Sequence, residues 1–143
     1  MKLILPFSVV LPRKTKDDKV FYLNMNVFRT AHHMIMNQAK IAWKAEVLEA
    51  LEHWYNVKGG QLPLIKNSGP FIFHYTAFPG NLRRFDIGNV LPAVQKFTDD
   101  ALIELGIIED DNYKVIVENR HRFGGVDKEN PRIELLIESA DSC

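Results

Sequence analysis

The stretch Arg83-Arg84-Phe85-Asp86-Ile87-Gly88-Asn89, then an amphipathic segment, then Glu109-Asp110-Asp111-Asn112, decides how this chain folds. It predicts an acidic loop, a helix and a second acidic loop, with one helix holding two carboxylate groups near each other, a metal-site geometry. Val94, Phe97, Ala101, Leu102 and Leu105 recur at helical spacing, so one face of the segment is apolar. Asn89 is the expected N-cap, Pro92 falls in the first turn, and Gly106 supplies a left-handed stop, which bounds a helix from Val90 to Leu105. Such a helix is about 24 Å long at ~1.5 Å per residue. Lys96, Asp99, Asp100 and Ile103 are assigned to its remaining arc. Ile107 and Ile108 turn the chain back into a core before Glu109 to Asp111 reach the surface.

Upstream, Phe71 to Phe78 has strand composition and ends at Pro79-Gly80-Asn81, so the first acidic loop comes after a strand whose sheet holds its base. Downstream, Tyr113 to Glu118 and Arg132 to Glu138 read as two strands, joined by a long hairpin connection from Phe123 to Pro131. Leu3 to Val10 is one apolar strand in which Pro6 marks a bend or an edge. Val20 to Leu23 is a short extended piece, and Asn24 or Asn26 caps the next element. From Val27 to Tyr55 there is neither proline nor glycine, which predicts one long helix or two with a slight break. His32 and His33 are adjacent, so a helix does not present them as a ligand pair. Trp43, Trp54 and Tyr55 belong to a helical stripe and are assigned to core or dimer interface ahead of base stacking. The expected fold is α+β: a single small domain over residues 1–143, with a mixed sheet of about four strands packed with two main helices.

At 143 residues the chain is large enough for one core, and 46% hydrophobic with 25% charged residues is the balance of a soluble globular domain. No apolar run is long enough to span a bilayer, and the opening Met1-Lys2-Leu3-Ile4-Leu5-Pro6 is too short for a signal peptide, so the expectation is cytoplasmic with no membrane partner. Cys143 is the single cysteine, which excludes an intrachain disulfide and a cysteine zinc site. A net charge of zero argues against a uniformly basic nucleic-acid surface. It leaves room for a local basic face in which Arg83, Arg84, Lys96, Arg120, His121 and Arg122 lie near the acidic loops.

Asp86-Ile87-Gly88-Asn89, then Lys96-Phe97-x-x-Asp100-Ala101-Leu102, then Gly106-Ile107-Ile108-x-Asp110-Asp111 resembles the core signature of the RusA family of Holliday-junction resolvases, common in phages and prophages. The likeness runs from Arg83 to about Val115. It implies that Asp86 and Asp111 bind a catalytic Mg²⁺, for which Mn²⁺ substitutes, with Asp110 beside them. It also implies that Lys96 is the catalytic lysine, displaced by one helical turn. Read from their charge, Arg83, Arg84, Lys96, Arg120 and Arg122 are the expected DNA contacts. The implied activity is nicking of a four-way junction or other branched DNA by a homodimer, in the cytoplasm of a bacterial host. Gly88 stands where the family pattern has a second Asp. A two-Asp site, compensation by Asp99 or Asp110, and a descendant that binds junctions or a host protein without cutting are all open to this sequence. Residue types alone are equally met by ordinary caps at Asp86 and Asn89, a turn at Asp110-Asp111-Asn112 and a Lys96–Asp100 helix pair, as in a purely structural α+β interaction module.

Overall fold

Alternation in Phe71-Ile72-Phe73-His74-Tyr75-Thr76-Ala77-Phe78 builds the central strand, because every second side chain of this run is buried. The computed structural model describes residues 1–59, 62, 65, 69–81, 83 and 85–140. In chain order the elements are β1 (Lys2–Leu5), β2 (Ser8–Leu11), β3 (Lys19–Tyr22), α1 (Met25–Thr30), α2 (His33–Tyr55), β4 (Phe71–Phe78), α3 (Ile87–Glu104), β5 (Ile116–Phe123) and β6 (Arg132–Ser139). The fold is α+β, with a mixed four-stranded sheet of order β1-β6-β4-β5 and a separate β2-β3 ribbon. β4 runs antiparallel to β6 and parallel to β5. A parallel neighbour needs a crossover connection, and α3 is that crossover. None of the helices among the described residues is long and apolar enough to cross a membrane.

Two expected strand boundaries shift, and of the one-helix and two-helix readings of the segment before Tyr55 the second holds. The opening strand is two strands, because the chain breaks at Pro6-Phe7 and sends Ser8 onward into the ribbon with β3. The long helix is likewise two: Ala31 leaves helical geometry and the ring of His32 caps α2 by accepting the Met34 N–H, while Asn24 caps α1. β5 begins only at Ile116 and extends to Phe123, so Arg120, His121 and Arg122 are strand residues. The expected hairpin between β5 and β6 does not form, since β4 lies between them. Their connection instead passes the end of β4, where Gly124 N–H donates to Ala77 and Asp127 N–H to Pro79. Arg132 then anchors it by pairing with Asp127 at 2.7 Å and Glu134 at 2.8 Å, with its guanidinium 4.2 Å from the centre of the Phe78 ring.

α2 and α3 cover one face of the sheet. Trp43, Val47 and Leu51 from α2 are buried with Leu91, Val94, Phe97 and Leu102 from α3, over Phe73, Tyr75, Ile133, Leu135 and Leu3. The indole of Trp43 is wholly buried, so its N–H requires a partner, and it donates to Thr98 Oγ1 at 3.0 Å. Trp43 is therefore core, whereas Trp54 is 48% exposed. α3 ends as expected: Gly106 has φ +75°, its N–H donates to Ile103, and the Ile107 N–H donates to Leu102, the paired bonds of a Schellman stop. Ile107 and Ile108 are buried and Glu109 to Asp111 exposed, as the pattern predicts.

Candidate metal centre

α3 starts earlier than its pattern predicts, because Asp86 and not Asn89 is the N-cap. Its Oδ1 accepts the Gly88 N–H at 3.0 Å, and Asn89 instead receives the Asn26 N–H on its side chain at 3.3 Å. Gly88 is thus inside the helix, and a Cβ built on it would meet only Asp86 Oδ1, at 3.4 Å. Gly88→Asp is therefore sterically admissible. It places a second carboxylate in the first turn, where the helix dipole favours negative charge. We expect Gly88→Asp to fold, and to bind Mn²⁺ about tenfold or more tightly than the parent in calorimetric titration, since each added carboxylate raises the charge of the ligand set. Unchanged affinity would remove position 88 from the metal's surroundings.

Asp86 and Asp111 are not near each other within one chain. α3 has 18 residues and is about 27 Å long at ~1.5 Å per residue. The sheet gives an independent measure. Phe85 packs against Phe123 at the far end of β5, with ring centres 6.2 Å apart, whereas Asp111 precedes β5, close to where Phe71 N–H donates to Val115. Since β4 and β5 are parallel, the two acidic loops lie at opposite ends of an 8-residue strand, about 25 Å apart at ~3.3 Å per residue. The expectation that one helix brings these carboxylates together is overturned by its length. Among the described residues no three acidic, histidine or cysteine side chains converge on one point.

The Asp111 end has its own partner. Asp99, assigned by its pattern to the polar arc, is only 5% exposed, because α3 is covered by α2 on one side and the sheet on another, so its buried arc is wider than one stripe. Among the described residues its Oδ1 is buried without a hydrogen-bond partner, and the hydroxyl of Tyr75 is buried with Thr98 close to it. Burial, then the charge of Asp111, then that of Asp100, push the Asp99 carboxyl up to about 7. Burial and the neighbouring Asp110 also push Asp111 up. Burial first and then Asp99 push the Tyr75 phenol well above its ordinary range.

The surrounding groups are already committed. Lys40 of α2 pairs with Asp100 at 3.7 Å and Lys44 with Glu104 at 3.3 Å, so the expected Lys96–Asp100 pair is replaced by bridges to α2. Asp110 is a turn residue, its two oxygens accepting the Asp111 N–H at 2.7 Å and the Asn112 amide at 3.0 Å. The charge of Asp111 reaches Asp99 from beyond the end of a helix that has no basic residue in its last turn. Two carboxylates suffice for Mg²⁺, which keeps waters and takes phosphate oxygens as its other ligands. An orphaned buried carboxylate oxygen suits such an ion. Asp86, exposed and already capping a helix, fits it less well by itself.

Lys96 is exposed on α3, and Arg83 is exposed near Asp86 with its N–H held by Asn81 at 2.9 Å. Arg84 lies outside the described residues. Arg120 and Arg122 project from β5 on the sheet face opposite α3, since the intervening His121 faces α3 and bonds Gln95 at 2.7 Å. They are thus separated from the acidic loops by the sheet, contrary to expectation. Arg120 is held by Glu118 at 2.7 Å and 3.1 Å, while Arg122 has no ion pair among the described residues. Half-burial lowers the His121 pKa and keeps the ring neutral at pH 7. Tyr75, Gln95 and His121 carry little sequence signal. Only their inward registers on two adjacent strands and α3 bring them together. No protein-family model and no curated protein matches this chain.

Proposed function

We propose that this chain is a metal-dependent, structure-selective endodeoxyribonuclease that cuts branched DNA as a homodimer, in the cytoplasm of a bacterial host of phage or prophage. The observation that carries this is the buried Asp99 carboxylate, bare of a donor among the described residues, within an ordered acidic pattern that resembles the RusA family. A bound Mg²⁺ would polarise the scissile phosphate and lower the pKa of the attacking water. Asp111 would hold that ion. Lys96, exposed on the same helix, would neutralise charge developing on the phosphate. Arg83 beside Asp86 and Arg122 on the outer sheet face are placed to hold flanking backbone, contacts that fix position without reading sequence.

The length of α3 supports the homodimer. Asp86 and Asp111 cannot share an ion within one chain, but a twofold axis that sets two α3 helices antiparallel brings Asp86 of one copy to Asp111 of the other. Two such sites suit two cuts. The second reading, a junction or host-protein binder that does not cut, is favoured by the missing carboxylate at Gly88.

A labelled four-way junction and matched duplex, incubated with the protein in Mg²⁺, Mn²⁺ or EDTA, separate the two. We expect paired nicks near the crossover with either metal, none with EDTA, and little cutting of duplex. Salt-sensitive junction binding with no nicks in any metal would leave the non-cutting reading. In the binding arm, Arg83→Ala should lower the slope of log affinity against log salt by about 1 unit, the share of one phosphate contact.

A further inference from the structure

We propose that the open edge of β1 is a docking strand for another protein: an extended segment in which basic and aliphatic residues alternate adds to the sheet beside β1, with its basic side chains against α2. This edge is the one opposite β5, and the proposal is independent of the nuclease reading.

The backbone supplies the first reason. β1 ends the sheet and pairs only with β6. Met1 exchanges both of its main-chain bonds with Ile137, so in this antiparallel pair Leu3 and Leu5 turn their N–H and C=O groups to β6, while Lys2 and Ile4 turn theirs outward. Among the described residues nothing bonds those outward groups. The other edge strand, β5, carries Glu118, Arg120 and Arg122, the kind of charge that guards an edge against pairing, whereas β1 offers Ile4, 45% exposed. A groove of about 630 Å³ lies at this edge, between Ile4 and the C-terminal half of α2, with Ala50 and Val57 as further apolar lining. Its helical wall is acidic. Glu46, Glu49 and Glu52 line it; Glu52 accepts the Gly59 N–H at 2.7 Å, but Glu46 and Glu49 have neither hydrogen bond nor ion pair among the described residues. Of the basic groups there, Lys2 is spent on Glu134 at 2.6 Å, which leaves His53 and Lys58. Burial and the charge of Glu49 push the Glu46 carboxyl up, so a cation is what this wall lacks. Residues two apart on a strand share a face and lie about 6.6 Å apart, and Glu46 and Glu49 are neighbours one helical turn apart, so two basic residues of an added strand each meet a glutamate. The residues between them turn to the outer face, beside Ile4. Strand addition thus draws affinity from the main chain of Lys2 and Ile4 and selectivity from the α2 wall. The same glutamates repel a nucleic acid.

A short labelled peptide of alternating lysine and valine is the probe, titrated with the full chain by fluorescence anisotropy and mapped by amide chemical shifts. We expect saturable binding, with shifts centred on Lys2, Ile4 and Ala50 and absent from β5. The same lysines and valines arranged in two blocks should bind about tenfold more weakly, because the blocks cannot place charge on one face and make the main-chain bonds together. N-methylation of the alternating peptide on its valines alone or on its lysines alone should separate the two: one loses about tenfold in affinity and the other binds like the parent peptide, since only every second residue turns its N–H to β1. Glu46→Gln with Glu49→Gln should weaken binding about fivefold, the share of two exposed charge pairs. Neither glutamate bonds a described residue, so folding is retained, and the methylated peptides need no variant at all. Equal affinity for the block peptide, equal affinity of the two methylated peptides, or shifts centred on β5 would overturn the proposal. So would light scattering that shows copies of the chain associating through this edge and separating in Ile4→Lys, which would give the edge to a second copy.

Discussion

Asp99→Asn should raise the unfolding free energy by up to about 4 kcal/mol at pH 8 without added metal, and change it little below pH 4. Proton counts set the sign. In the folded chain the carboxyl is held up to about 7, against 3.8 for an unburied Asp. Between those values the folded state carries a proton that the unfolded state has released. Stability therefore falls as pH rises from about 4 to about 7 and stays low above, where the folded chain must ionise a buried group. Asn never ionises and keeps the volume, so the variant escapes this loss. Chemical denaturation of parent and variant at several pH values measures it, and parallel curves from pH 4 to pH 8 would show that Asp99 is solvated.

That same residue shows where sequence pattern stops. β4, the Schellman stop at Gly106 and the burial of Ile107 and Ile108 were legible because each depends on local chemistry: period-two alternation, a residue free to take φ +75°, and an apolar pair after a helix end. The burial of Asp99 was not legible, because it depends on two coverings of α3, by α2 and by the sheet, and a single helical stripe records only one. The β5–β6 connection misled for a related reason. Turn residues announce that the chain reverses, but not that β4 occupies the place between the two strands. The acidic loops were correctly placed at the two ends of α3 and wrongly placed in space, since residues that flank one helix are separated by its whole length.

That length leads to the second large effect. Asp86→Asn and Asp111→Asn should each reduce junction cleavage by at least about 100-fold, the scale that even the outer partners of a metal site command. Mixing the two inactive proteins should restore it. If each site takes Asp86 from one copy and Asp111 from the other, a mixed dimer holds one site with both carboxylates and one with neither. Random exchange makes about half of all dimers mixed, so about a quarter of the parental sites return. Those sites should nick one strand of the junction and not two opposed strands, a product that a denaturing gel distinguishes from paired nicks. Exchange must be shown separately, by a size tag on one variant that yields three dimer bands. With mixed dimers present and cleavage still absent, a site shared between copies would be excluded, whereas an Asp86→Asn protein that cuts like the parent would return Asp86 to the helix cap that its bond to Gly88 already makes it.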